Sequence, residues 1–195
     1  MDFLYPKREY EAAARTWAAS LGEGADGYLE SSVVWNGGFE REPAGVAFDW
    51  RIGRLRDRAG LNDEVEAAVD ASVARTGRRS LRLRFGGHEN AAYNHTSQTT
   101  LVAPGVYRFE AFVRSLEVAS AQGIGFRVVD PESPGRVDVR TAQVVGTNDW
   151  TAVRAVVRVP EDTRRLVVQV VRPPSSAHDT PISGTVWIDD VSLKQ

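Results

Sequence analysis

The chain contains no cysteine, which excludes disulfides, thiolate metal centres and cysteine nucleophiles together. Lysine is nearly absent: only Lys7 and Lys194 occur, and the other basic residues are arginines, a usage that reads as coding bias rather than a binding surface. The 26 acidic and 24 basic residues almost cancel, leaving a formal charge of −2. No overall field therefore draws the chain to nucleic acid or to an anionic membrane. No apolar run approaches the ~18 residues of a membrane-spanning helix, so membrane insertion is not expected. The N-terminal stretch from Met1 to Lys7 lacks the apolar segment of a signal peptide. The favoured reading is a piece excised from a longer, exported or envelope-associated bacterial protein. The three histidines, His88, His95 and His178, fall in loop-like segments, and no two have metal-ligand spacing. Nucleophile-elbow, phosphate-loop, zinc-helix and dinucleotide motifs are missing, and Gly123-x-Gly125 is followed by no helical pattern. Glycoside hydrolysis needs two facing carboxylates, and no acidic pair stands in a distinctive motif. The chain reads as a non-enzyme.

What is present is an ordinary globular composition, 42% hydrophobic and 26% charged over 195 residues. Residues 7–21 carry apolar side chains at Tyr10, Ala13, Ala14, Trp17 and Leu21, the stripe of one amphipathic helix. Pro6 suits its start and Gly22 its end. Such a stripe must be buried, either on the domain that follows or as the end of a helical array. Its Tyr-x-x-Ala-x-x-x-Trp spacing resembles the second half of a tetratricopeptide-type helix pair, which implies an upstream helical-repeat partner in the same chain. Residues 22–27 (GEGADG) read as a linker, dividing the chain into a helix-and-linker segment, 1–27, and a main domain, 28–195.

Beyond the linker the period becomes two. Candidate strands are 32–40, 47–52, 65–73, 79–86, 94–102, 105–116, 122–130, 137–145, 150–159, 164–172 and 184–193. Turn residues punctuate them, and no helical pattern intervenes. This predicts an all-β fold, a β-sandwich jelly roll of about ten antiparallel strands in two sheets, preceded by one N-terminal α-helix. Two acidic strand patterns bracket the domain: Val33-Val34-Trp35-Asn36-Gly37-Gly38-Phe39-Glu40, and Trp187-Ile188-Asp189-Asp190-Val191-Ser192-Leu193. If the first and last strands are neighbours, the carboxylates of Glu40, Asp189 and Asp190 converge. Alternation puts Asp189 on one face with Trp187, Val191 and Leu193; an acid on an inward face needs a metal, an arginine or backbone N–H groups. Trp150 and Trp187 read as core residues.

Several segments in order resemble a known family: Asn36-Gly37-Gly38-Phe39-Glu40, Phe48-Asp49-Trp50, Gly77-Arg78-Arg79-Ser80-Leu81, Pro104-Gly105-Val106-Tyr107-Arg108-Phe109, Asp149-Trp150-Thr151 and the closing Trp187 to Leu193. Over about residues 32–193 they are similar to the jelly-roll carbohydrate-binding modules of families four, nine, sixteen and twenty-two. The resemblance implies a structural calcium tying the first strand to the last, held by Glu40 and by Asp189 or Asp190, with carbonyls near Asn36 and the 76–79 turn. It also implies non-catalytic binding of a poly- or oligosaccharide. The other reading is a structural or protein-interaction jelly roll with no sugar ligand.

Sugar sites pair a flat aromatic with polar side chains. Candidate platforms are Trp50, Tyr93 and Trp35, and the amide-rich loop and strand around Tyr93 offer Asn90, Asn94, His95 and Gln98. Arg127, Arg140 and Gln143, on mid-chain strands, are candidates for a concave sheet face. An arginine-rich face would suit an acidic or phosphate-bearing ligand, or it is simply solvated.

Overall fold

The computed structural model describes residues 10–22, 28–46, 48–57, 59–60, 62–176 and 181–195. Pro6, most of the linker and His178 lie outside them. A helix, α1 (Tyr10–Leu21), precedes eleven strands: β1 (Arg51–Ile52), β2 (Leu55–Arg56), β3 (Asp63–Asp70), β4 (Ser80–Gly86), β5 (Tyr93–Leu101), β6 (Gly105–Val118), β7 (Gly125–Val129), β8 (Asp138–Arg140), β9 (Gly146–Val159), β10 (Arg165–Arg172) and β11 (Ser183–Lys194). Every strand pairing is antiparallel. The strands form a five-stranded sheet, β1-β5-β10-β7-β8, and a six-stranded sheet, β2-β3-β4-β11-β6-β9. This is the two-sheet jelly roll that the period-two sequence predicts.

One core fills the space between the sheets. Leu81, Leu83, Phe109, Val186 and Ile188 from the six-stranded sheet meet Phe126, Leu166, Val168 and Val170 from the other. The Phe109 and Phe126 rings lie 5.0 Å apart. A second, smaller cluster holds α1. Ala13, Ala14 and Trp17 pack on Tyr28, Trp35, Phe48 and Leu101, with Trp17 edge-on to Phe48 at 6.5 Å. Of the two readings of the helix, burial on the following domain is the one observed. Gly22 ends it with φ +58°, a conformation that glycine adopts without strain.

Three expectations need correction. Residues 32–40 form turns rather than a strand, because Asn36 and Phe39 take positive φ and Gly37 presses against β11. A Cβ on Gly37 would collide with the Val191 carbonyl. Of segment 137–145, only Asp138–Arg140 is a strand, and the short β2 was not anticipated. Trp150 and Trp187 do not enter the core and are half-exposed. On β11 the inward residues are Val186 and Ile188, which puts Trp187 and Asp189 on the opposite side. A bulge at Asp190 (φ +50°) then turns Val191 and Leu193 inward. Trp187 donates its indole N–H to Asp70 at 2.9 Å and lies beneath Arg114.

Candidate functional site

The two acidic segments do meet. β4 pairs with β11 only as far as Ile188. Beyond that point residues 32–37 lie alongside β11: the Val33 N–H donates to Leu193 O at 3.0 Å, and the Val191 N–H to Gly37 O at 2.9 Å. The contact closes the sandwich without being a regular ladder.

The turn at 75–79 packs on this junction and supplies its donors. Fully buried Asp189 accepts the N–H groups of Arg75 (2.8 Å), Thr76 (3.2 Å) and Asp190 (2.7 Å). Asp190 accepts the Arg75 guanidinium and the Thr76 hydroxyl, both at 2.6 Å. Glu40 accepts the N–H groups of Arg78 (2.8 Å) and Arg79 (3.0 Å). Gly77, at φ +61°, leaves room for the Glu40 carboxylate that a Cβ would fill. Arg75 also stacks on Phe112, 3.4 Å from the ring centroid. Burial, with the neighbouring Asp190 charge adding to it, pushes the Asp189 carboxyl up to about 6 despite its three N–H donors.

A Cβ built on Gly38 would sit 3.6 Å from Asp189 Oδ1, 3.9 Å from Asp190 Oδ1 and 3.9 Å from Glu40 Cγ, so all three acids surround one small cradle. An open cavity of about 550 Å3, lined in part by Gly38, Glu40, Arg75 and Asp190, leads to it. The donor set is all oxygen, as calcium prefers. Among the cluster's own contacts, Arg75 is the side-chain cation, bound to Asp190; Arg41 and Lys194 also line the cavity. Among the described residues, however, no three acidic or histidine side chains already stand at ligating distance of a common point. In donor chemistry the cradle fits a divalent cation; its ligands would have to draw together.

The sequence-nominated sugar residues divide sharply. Trp50 is fully buried, tilted against Phe39 at 5.2 Å, and its indole N–H donates to Asn36 O. Tyr93 is 1% exposed. Its hydroxyl donates to Gly53 O at 2.7 Å and accepts from the Thr96 hydroxyl at 2.6 Å, and burial pushes it up to about 12. Gln98, also 1% exposed, spends its whole amide on Trp35: it accepts the Trp35 N–H at 2.9 Å and donates to Trp35 O at 2.8 Å. Trp35 itself is buried against Tyr28. All four hold the fold.

The amide-rich loop is likewise occupied. Buried Arg172 donates to Asn90 Oδ1, Ala91 O, Gln122 O and Ser120 Oγ. Asn90 in turn donates to Ser175 O at 2.6 Å. Buried Glu64 accepts the N–H groups of His88 and Glu89. Asn94 and His95 are exposed, and so is Gln143, which accepts the Gly123 N–H.

Arg127 and Arg140 fare differently. In antiparallel pairing, directly opposed residues share a face. The registers Arg51↔Ser97, Ser97↔Gln169, Gln169↔Arg127 and Arg127↔Arg140 therefore run one row across all five strands, on the side away from the core. Four strand spacings make the row about 19 Å long. All five side chains are exposed or half-exposed. The neighbouring row, Thr99, Val167, Val129 and Asp138, adds Asp138, held by Arg127 through two 2.8 Å bonds. That bidentate bond, first among the causes, keeps the Asp138 carboxyl below its usual range and raises Arg127. Arg51, Ser97, Thr99 and Gln169 were not nominated from sequence. The available signal was the polar residue interrupting Leu166-Val167-Val168-Gln169-Val170-Val171, but only the register joins it to the others.

The fold is a β-sandwich jelly roll, the architecture also found in carbohydrate-binding modules. Nothing matches among family models or among curated proteins. Solved structures do match. A family 61 carbohydrate-binding module, solved with β-1,4-galactotriose, superposes with a TM-score of 0.56 at 18% identity, over 84% of this chain and 99% of the module. A family 16 carbohydrate-binding module gives 0.53 at 15% identity, over 84% of this chain and 99% of that one. The enzymatically active domain of a tailspike protein from bacteriophage CBA120 gives 0.58 at 18% identity, but the chain spans 22% of its length. The chain thus matches whole modules end to end and only a part of the enzyme.

Proposed function

We propose that this domain is a non-catalytic carbohydrate-binding module that presents the open face of its five-stranded sheet to a poly- or oligosaccharide. The observation that carries this reading is the transverse row of five polar side chains, Arg51 to Arg140, exposed or half-exposed on the outer face of the five-stranded sheet, beside the end that α1 covers at Leu101. Hydroxyl, amide and guanidinium groups spaced along about 19 Å suit the repeated hydroxyls of a short glycan. The family 61 module, solved with galactotriose, supports the class of ligand. Catalysis is not expected on this face. A glycosidase needs one carboxyl with a raised pKa facing a second, whereas Asp138 is pulled low by Arg127.

The cluster of Glu40, Asp189 and Asp190 is proposed as the structural calcium site, away from the ligand face. A cation there would bridge the three carboxylates and clip residues 32–40 to β11. Retardation of the protein in gels containing oligo- or polysaccharides tests the binding reading. Migration unchanged by any of a broad panel, neutral and acidic, would overturn it.

A further inference from the structure

The five strands that build the open face contain two aromatic rings other than histidine, Tyr93 and Phe126, and both are turned into the core. Among the described residues, these strands therefore bring no aromatic ring to the face as a platform for a pyranose ring. Along the two rows the described charged groups are instead Arg51, Arg127 and Arg140 against the carboxylate of Asp138, whose oxygens are already engaged by Arg127. Arg140 reaches the same carboxylate only at 3.9 Å. Arg165, further along β10, is matched by Glu132 at 3.5 Å. Two positive charges are left over along the row, on a protein whose overall charge is −2.

We propose, resting on the saccharide reading above, that the ligand is an acidic saccharide whose carboxylates bridge the guanidinium groups of Arg51 and Arg140, with Ser97 and Gln169 reading hydroxyls between them. Guanidinium is the group suited to bidentate bonding of a carboxylate. The two arginines stand at opposite ends of the row, on the outermost strands of the sheet, so a ligand engaging both must span several sugar units.

The test is calorimetric titration of the intact chain with galacturonic acid oligomers and with galactose oligomers of the same length. Binding to the acidic oligomers is expected, with affinity falling steeply between about 0.01 M and about 1 M salt, as the screening length shrinks from about 30 Å to about 3 Å. Arg140→Gln and Arg51→Gln alter exposed side chains and should each weaken binding by about tenfold, the worth of one charge-assisted bond. Arg158→Gln, on the other sheet, should leave it unchanged. Equal or tighter binding of the galactose oligomers overturns the acidic preference and leaves the saccharide reading standing. Equal binding of poly-glutamate, or an equal loss with Arg158→Gln, overturns it as mere charge attraction. Binding of neither oligomer, with none to the wider panel, overturns both.

Discussion

Replacing Gln98 by alanine separates a structural role from a binding role. Gln98 lies on β5, one strand from the edge of the ligand-bearing sheet, but faces inward. Its amide makes both available bonds with the Trp35 backbone, at 2.9 and 2.8 Å. Truncation leaves a buried N–H and a buried carbonyl unpaired, each costing about 1–3 kcal/mol. Some relaxation of residues 33–37 would return part of that, so a loss of about 2–4 kcal/mol is expected. For a chain of this length, that is a fall in Tm of about 5–15 °C. Urea unfolding should show a lower midpoint with an unchanged slope. Affinity for a saccharide ligand, measured well below the new Tm, should be unaltered. A loss of stability below about 0.5 kcal/mol would show that Gln98 does not hold Trp35, and a stable variant that no longer binds sugar would show that Gln98 serves the ligand instead.

Chelator should lower the Tm, with calcium restoring it and magnesium not, because an ion bound only to the folded state at a hundredfold excess over its Kd stabilises by about 2.7 kcal/mol. A Tm unmoved by chelator would remove the proposed calcium and leave the Arg75–Asp190 pair as the clip. Arg172→Met should destabilise the chain, because it leaves Asn90 Oδ1, Ala91 O, Gln122 O and Ser120 Oγ without their donor at about 1–3 kcal/mol for each group left buried and unpaired, and should raise amide exchange in residues 87–92; protection equal to the parent would show that the loop holds itself. Burial raises the Asp130 carboxyl, but Thr163, the N–H groups of Glu132 and Ser133, and Arg136 outweigh it and hold it below its ordinary 3.8. Its stabilisation is therefore present at neutral pH and is lost as the pH falls below about 4. Asp130→Asn should be less stable than the parent at pH 7, with the gap closing on acidification; a gap independent of pH would contradict the assignment.

The sandwich was legible because its long strands alternate without ambiguity; in β6, Tyr107, Phe109, Ala111 and Val113 all face inward. The meeting of Glu40 with Asp189 and Asp190 was legible from the bracketing motifs. Sidedness was harder where both faces of a strand are apolar. Val186, Trp187 and Ile188 permit either assignment, and the bulge at Asp190 changes the phase midway. Trp50, Tyr93 and Gln98 looked like ligand groups because their partners, Asn36, Gly53 and Trp35, are backbone atoms distant in sequence. The row from Arg51 to Arg140 was the least visible feature. Each member is an ordinary polar residue, and only strand order and register align them.

On the proposed reading, the outer face of the five-stranded sheet binds a saccharide. The most direct test is NMR titration of the labelled chain with an oligosaccharide, following backbone amides. Concentration-dependent shifts are expected at Ser97, Thr99, Arg127, Arg140 and Gln169, and none at Trp150, Trp187 or residues 87–92. Shifts confined to the six-stranded sheet or to that loop, or none with any acidic or neutral oligomer, would contradict it.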